Sequence, residues 1–338
     1  MILVTGGTGL VGSQIIFDLA SSGKKVRALR RKESKMNVVD RLFFTNPQYV
    51  QNIEWFEGDV NDSFSIQDAM DDVDTVYHSA GFISFHPSDR NKMLKVNVEG
   101  TANMVNMALK TGVKRFCYVS SVAALGRISG EKFIDENSWW KTSPKNSNYA
   151  ISKYGGEREV WRGMEEGLSA FIISPSIIIG PGDWKSGSTQ LFSLVWKGLP
   201  FYTTGVTGFV DVRDVSKAAI MLMEKGVSDK RFIVNSENVS YRYVVDHIAE
   251  NFGRSKPWIK LTSAIIEIGW RIESIRSWFT SKKPMITKET GRNGMMEWYY
   301  SNEKIKKEIG IEFISIEKSV KDVCDCFLKE QNNSGKIY

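Results

Sequence analysis

The chain has 338 residues, 42% hydrophobic and 25% charged, the profile of an ordinary soluble globular protein with room for two domains or one elaborated α/β domain. The formal net charge is +6, from 45 Lys+Arg against 39 Asp+Glu, and no dense basic patch interleaves with aromatics, which excludes nucleic acid as an expected partner. No apolar run approaches the ~20 residues needed to span a bilayer. Cys117, Cys324 and Cys326 fit none of the usual zinc spacings and read as reduced thiols of a cytoplasmic protein. The first strand begins at Ile2, which leaves no expected signal peptide ahead of it.

Ile2-Leu3-Val4 feeds into Thr5-Gly6-Gly7-Thr8-Gly9-Leu10-Val11-Gly12, and helical periodicity follows from Ser13 to Ala20. Gly7, Gly9 and Gly12 fit one dinucleotide-binding spacing, and Gly6, Gly9 and Gly12 fit the wider one. Strand, glycine turn and helix N-terminus are the context in which such glycines admit a pyrophosphate to the positive end of the helix. The second strand ends at Arg30-Arg31, where NAD-binding proteins usually place an acid for the ribose diol. Guanidinium forks suit a 2′-phosphate, so NADP(H) is favoured, with NAD(H) as the alternative.

Strand-helix alternation continues. Ile53–Phe56 ends at Gly58-Asp59-Val60, and Thr75–His78 ends at Ser79-Ala80-Gly81. A long helix is expected over about 91–109 with Asn97 in its first half, and Phe116–Val119 ends at Ser120-Ser121. This pattern predicts a doubly wound parallel sheet of Rossmann type, with ligands at the carboxyl ends of its strands. His78 is expected to pack at a strand end, and neither His86 nor His247 sits in a metal-ligand cluster.

Tyr149-Ala150-Ile151-Ser152-Lys153 places Tyr149 and Lys153 one helical turn apart. A phenol titrates near ~10, and reaching ~7 needs roughly 4 kcal/mol of preference for the charged form. One ammonium supplies about 1–3 units, so Lys153 needs help from a second positive charge such as an oxidised nicotinamide.

These motifs together resemble the extended short-chain dehydrogenase/reductase family, in its epimerase/dehydratase-like branch. The matching stretches are TGGTGLVG (5–12), GDV (58–60), VYHSAG (76–81), VNVEGT (96–101), VSSVAALG (119–126), YAISK (149–153), PSIIIGPGD (175–183) and FVDVRDV (209–215). The resemblance implies a catalytic set of Ser121, Tyr149 and Lys153. Tyr149 would move the proton; Lys153 would lower its pKa and hold the nicotinamide ribose; Ser121 would hold the substrate oxygen. The residue reading and the resemblance together give a cofactor-binding set of Gly6, Gly9, Leu10, Val11, Gly12, Arg30, Arg31, Asp59, Val60, Ala80, Gly81, Asn97, Tyr149, Lys153, Pro175, Ile177 and Ile178, with no metal; Asp59, Asn97 and the backbone around Pro175–Ile178 are what the resemblance implies. The family's sugar-nucleotide dehydratases carry Asp-Glu where this chain has Val122 and Ala123, and its epimerases place Asn where Ile177 stands. The pattern is therefore nearer the dihydroflavonol reductase and 3β-hydroxysteroid dehydrogenase relatives. The implied activity is NADP(H)-dependent hydride transfer to or from a ketone or secondary alcohol. The alternatives are a nucleotide-sugar epimerase with tightly bound NAD and a regulatory protein without turnover. A small-molecule substrate is expected, and a homodimer is left open.

The expected division is a Rossmann domain over 1–180, with elements returning at about 209–235, then a smaller, mostly helical substrate-binding region over 181–330 and a disordered tail over 331–338. Trp139, Trp140, Trp184, Phe192 and Trp196 are candidates for an apolar pocket or for core, and Asp214 for a helix cap. Leu261–Phe279 reads as an amphipathic, core-facing helix, with a lid or membrane-surface role as the alternative. Ser301 reads as the N-cap of a helix that Gly310 stops, and a last helix is expected over about 316–329.

Overall fold

Seven short runs rich in β-branched and aromatic residues form one parallel sheet: β1 (Ile2–Thr5), β2 (Val26–Arg30), β3 (Ile53–Glu57), β4 (Thr75–His78), β5 (Arg115–Val119), β6 (Ala170–Pro175) and β7 (Lys230–Val234). This is a computed structural model, and it describes residues 1–84, 86–126, 132–143, 146–262, 265, 291 and 294–334. The strand order is β7-β6-β5-β4-β1-β2-β3. Strand β6, Ala-Phe-Ile-Ile-Ser-Pro, is buried along its whole length, as a parallel strand covered on both faces must be. The chain winds outward from β1 to β3 and then returns to lay β4 against the other side of β1. That reversal opens a crevice at the carboxyl ends of β1 and β4, the place where such sheets bind ligands.

Two apolar layers sandwich the sheet. On one face Ile15, Ile16 and Leu19 of helix Leu10–Ser21 meet Val215, Ala219 and Leu222 of helix Val212–Lys225. On the other, Met104 and Val105 of helix Gly100–Thr111 meet Val160 and Met164 of helix Asn148–Glu165. A third cluster lies in the carboxyl-terminal part. A three-stranded sheet, Glu237–Ser240, Val206–Asp211 and Ile177–Ile179, packs there with helices Tyr241–Asn251 and Ile316–Ser334. Trp184 and Phe192 are buried in this cluster and Trp196 packs against it, edge-on to Phe252; all three are core.

Arg41 joins distant parts of the chain. Its guanidinium pairs with Glu330, donates to the carbonyls of Pro181 (2.6 Å) and Gly182 (2.9 Å), and lies 4.8 Å over the Trp184 ring. Trp184 Nε1 in turn donates to Glu330 at 2.8 Å.

The packing refines some expectations and corrects others. The helix expected over about 91–109 is Arg90–Leu94, a π turn at Lys95–Glu99, and then Gly100–Thr111. Asp211 rather than Asp214 caps the helix Val212–Lys225, accepting from Arg213 N at 2.8 Å. Asp214 instead accepts from Ile314 N at 2.8 Å, and burial pushes its carboxyl up to about 6. The helix stopped by left-handed Gly310 is Glu303–Ile309, with Asn302 at its N-cap position and Ser301 Oγ accepting from Glu303 N. The last helix runs to Ser334, so 331–334 are helical where a disordered tail was expected, and 335–338 lie outside the described residues. The expected helix over 261–279 also falls almost wholly outside them. Among the described residues, no helix is long and apolar enough to cross a membrane.

Helix Asn148–Glu165 is locked to the edge of the sheet by a buried ion pair. Glu157, 1% exposed, accepts from Arg231 of β7 at 2.9 Å and from Ser174 Oγ of β6 at 3.2 Å. Arg231 also donates to the Glu136 carbonyl at 2.6 Å. Removing one partner of such a pair strands the other charge. Glu157→Ala is expected to cost about 3–5 kcal/mol in urea unfolding; a loss below about 1 kcal/mol would show that Arg231 is solvated well enough without it.

Candidate active site

The glycine turn after β1 decides between the two spacings seen in the sequence. Gly6 has φ +67°, and a Cβ there would lie 2.7 Å from Ala80 N. Gly9 N donates to Gly6 O at 2.9 Å, and a Cβ on Gly12 would lie 2.2 Å from that same oxygen. Gly6, Gly9 and Gly12 therefore shape the turn, while Gly7 packs toward Ile16. Leu10, Val11 and Gly12 open the helix, so their N–H groups have no partner within it, and none of the three carries charge. This glycine-walled helix N-terminus fits a dinucleotide pyrophosphate.

The other expected cofactor residues lie at or just past the ends of other strands. Arg30 ends β2, half-buried, and its side chain has no hydrogen-bond or ion-pair partner among the described residues. Arg31 is exposed and pairs with Glu33 at 3.5 Å. Asp59 follows β3, its Oδ1 accepting from the Asn61 N–H and side-chain amide, each at 2.9 Å. Val60 is buried, and its carbonyl accepts from Asn103 at 3.1 Å. Pro175 closes β6; Ile177 and Ile178 begin the next short strand, and the Ile178 carbonyl accepts from Ser188 Oγ at 2.5 Å.

Beyond β4 the chain meets the π turn. Asn97, 1% exposed, accepts from Phe82 N at 2.7 Å and donates to Phe82 O and Ser152 Oγ, each at 2.9 Å. Gly81 lies against this group: a Cβ on it would stand 3.4 Å from Asn97 Oδ1 and 3.9 Å from Lys153 Nζ. Asn97, Gly81 and Lys153 are thus brought together.

Ser121, just past β5, caps the short turn Val122–Ala124 by accepting from Ala123 N at 3.2 Å. Tyr149 begins the helix that Ser147 caps, where Ser147 Oγ accepts from Ala150 N at 2.9 Å. Burial pushes the Tyr149 phenol above its ordinary value, and the nearby Ser121 hydroxyl acts in the opposite direction. This direction differs from the lowering expected of Lys153, because the ammonium is directed elsewhere. Lys153, 4% exposed, donates to the Val119 carbonyl at 2.9 Å and sits 4.5 Å over the Tyr118 ring. Burial pushes it down to about 8, against the raising effect of Glu157.

Sequence reasoning passed over three contributors. Ser152 lies inside the Tyr-Lys motif and holds Asn97. Phe82 clamps the same amide through its backbone. Gly156 lets the helix approach closely, since a Cβ there would lie 2.4 Å from Asn97 O; a Gly-Gly pair inside a helix was the available signal. Of the aromatics, Trp140 stacks on Tyr154 with centroids 4.4 Å apart, and Trp139 is 82% exposed. Trp139 lines an open hollow of about 830 Å³ with Phe133, Tyr299 and Glu303, among others, but the hollow includes none of the expected site residues. Among the described residues, no group of three His, Cys, Asp or Glu is placed to hold a metal.

The family model described as the NAD dependent epimerase/dehydratase family matches residues 2–235. A putative dihydroflavonol 4-reductase of Synechocystis is 29% identical, over 96% of this chain and 93% of its own length. A 3 beta-hydroxysteroid dehydrogenase/Delta 5-->4-isomerase of Mycobacterium tuberculosis is 26% identical, over 92% and 85%. Among solved structures, that of gox2253 superposes with a TM-score of 0.80 at 29% identity, covering 98% of each chain. The UDP-glucose 4-epimerase of Thermus thermophilus in complex with NAD gives 0.73 at 21% identity, covering 97% and 98%, a likeness of fold. The chain belongs to the NAD dependent epimerase/dehydratase family and is an NAD(P)-dependent oxidoreductase of the extended short-chain dehydrogenase/reductase type.

Proposed function

We propose that the protein is an NADP(H)-dependent reductase or dehydrogenase acting on a ketone or secondary alcohol, with Tyr149 as its general acid and base. The observation that carries this reading is the placement of Tyr149 one helical turn ahead of buried Lys153, at the carboxyl edge of the sheet, with the Ser121 hydroxyl close enough to favour the phenolate. When bound, the nicotinamide supplies the hydride in reduction and accepts it in oxidation. Ser121 holds the substrate oxygen, and Tyr149 gives that oxygen its proton. Burial keeps Tyr149 protonated at neutral pH, the form that reduction needs. Lys153, whose ammonium otherwise donates to the Val119 carbonyl, turns a second donor to the phenolate left behind. Val122 and Ala123 offer no second acid-base pair for eliminating water. The near full-length similarity to a protein named a putative dihydroflavonol 4-reductase supports a carbonyl reduction. Arg30, free of partners in the described residues, supports a 2′-phosphate at the adenosine ribose.

Tyr149→Phe is expected to lower turnover on an identified carbonyl substrate by roughly 10²–10⁴-fold, with cofactor affinity nearly unchanged. A variant that keeps most of its activity removes Tyr149 from the mechanism.

NADPH is expected to bind more tightly than NADH, by roughly 10–150-fold if Arg30 forms one charge-assisted hydrogen bond of about 1.5–3 kcal/mol. Arg30→Asp should reverse the order. Titration of both cofactors at one ionic strength decides; tighter NADH binding by the unaltered protein withdraws the NADP assignment, and NAD that survives dialysis favours the epimerase.

The pH profile carries a further expectation. Because Lys153 titrates near about 8, kcat/KM for carbonyl reduction should fall as pH rises through that value and the ammonium is lost. A flat profile up to about pH 10 would show that Lys153 keeps its charge or is not needed.

A further inference from the structure

Five polar groups beneath the crevice form one continuous series. Ala80 N–H lies 3.2 Å from Thr5 Oγ1, and Thr5 Oγ1 lies 2.7 Å from His78 Nδ1. His78 Nε2 lies 3.1 Å from Thr101 Oγ1, which lies 2.8 Å from the Asn97 carbonyl. Thr5, His78 and Thr101 are fully buried.

The two ends fix the direction of every bond between them. The Asn97 carbonyl can only accept, so the single Thr101 proton goes there and Thr101 must accept from His78 Nε2–H. The Tyr118 hydroxyl is buried nearby but makes no hydrogen bond among the described residues, so it does not compete for that proton. At the other end Ala80 N–H can only donate, so Thr5 accepts there and its proton is free for His78 Nδ1. The opposite tautomer could be met only by turning the Thr101 proton to Nε2, which takes it from the Asn97 carbonyl and leaves the Thr5 proton without an acceptor in the series. Burial first, and then the charge of Lys153, push the imidazole down to about 3, which keeps it neutral.

We propose that His78 is a positioning residue for the cofactor crevice: as a neutral Nε2–H imidazole it closes a one-way hydrogen-bond chain from Ala80 N–H to the Asn97 carbonyl and so fixes the π turn relative to the glycine turn. Gly6 touches the Ala80 end of this chain. The Asn97 end carries the amide that holds Phe82 and Ser152 beside Lys153. The inference rests on reading Ala80, Gly81 and Asn97 as cofactor-side residues.

The tautomer is read directly by nitrogen NMR of protein labelled in its three histidines, His78, His86 and His247. One ring should show a neutral Nε2–H signature that does not titrate between about pH 5 and about 9, and it should vanish in His78→Gln. A neutral Nδ1–H signature, or protonation of that ring in this range, overturns the proposal. The positioning role is read by titrating NADPH and NADH into Thr101→Val, which removes the acceptor for His78 and the donor to Asn97. The dissociation constant of the tighter cofactor should rise roughly 2–30-fold, the range expected for coupling through packed networks, and Thr101→Ser should restore it. Unchanged affinity in a folded Thr101→Val protein overturns the role. Should that variant fail to fold, the tautomer in the unaltered protein still decides. Neither readout uses a substrate, so either fails independently of the Tyr149→Phe test.

Discussion

The crevice depends on one close approach: the Gly12 backbone lies so near the Gly6 carbonyl that a methyl group there would sit 2.2 Å from the oxygen. That oxygen cannot yield, because it already accepts from Gly9 N and so closes the turn. The same turn brings Gly6 against the backbone of Ala80, at the end of the neighbouring strand. From Ala80 the rest follows in chain order: Gly81 lies beside Asn97 and Lys153, and Asn97 is clamped by Phe82 and Ser152. A parallel sheet puts all these strand ends on one edge, and the glycines let them meet.

The electrostatics of the site oppose two groups in the same low-dielectric setting. Burial favours the neutral form of each, so it raises Tyr149 and lowers Lys153. Lys153 is held by a carbonyl dipole and an aromatic face rather than by a carboxylate. The nearby acid, Glu157, is committed to Arg231 and influences Lys153 through the field alone. Burial thus holds Tyr149 as a neutral phenol at neutral pH and brings the loss of the Lys153 charge closer to neutrality.

Much of this was legible in the sequence because it is written locally. Aliphatic runs ending in Gly, Ser or Ala marked the sheet, and glycine spacing marked the turn, although both candidate spacings fitted until the contacts of Gly7 and Gly6 separated them. What was illegible depends on tertiary contact. Nothing in the composition of Lys95–Glu99 announces a π turn; Asn97 makes its side-chain bonds there to residues 15 and 55 positions away. Asp211 and Asp214 are equally good caps by type, and the pairing of Asp211 with Ile179 at the strand end decides which one starts the helix. His78 read as a packed strand end, and its two ring nitrogens gain a role only once Thr5 and Thr101 are in place.

The junction at Arg41 has a consequence for how the molecule is completed during synthesis. Arg41 belongs to the second helix of the chain, while its partner Glu330 lies in the last. The turn at Pro181–Gly182 that Arg41 also holds is made midway between them. Strands β1 to β6 are available to pair as they emerge, since domains fold largely as units from the amino terminus. The guanidinium, in contrast, waits for nearly three hundred further residues, |i−j| = 289, before its carboxylate exists. Until then Arg41 and the indole of Trp184 have no Glu330 to share, and the third apolar cluster lacks Val320, Val323 and Phe327. The carboxyl-terminal helix therefore acts as the keystone of a vault, the last stone set and the one that lets the earlier courses bear on each other.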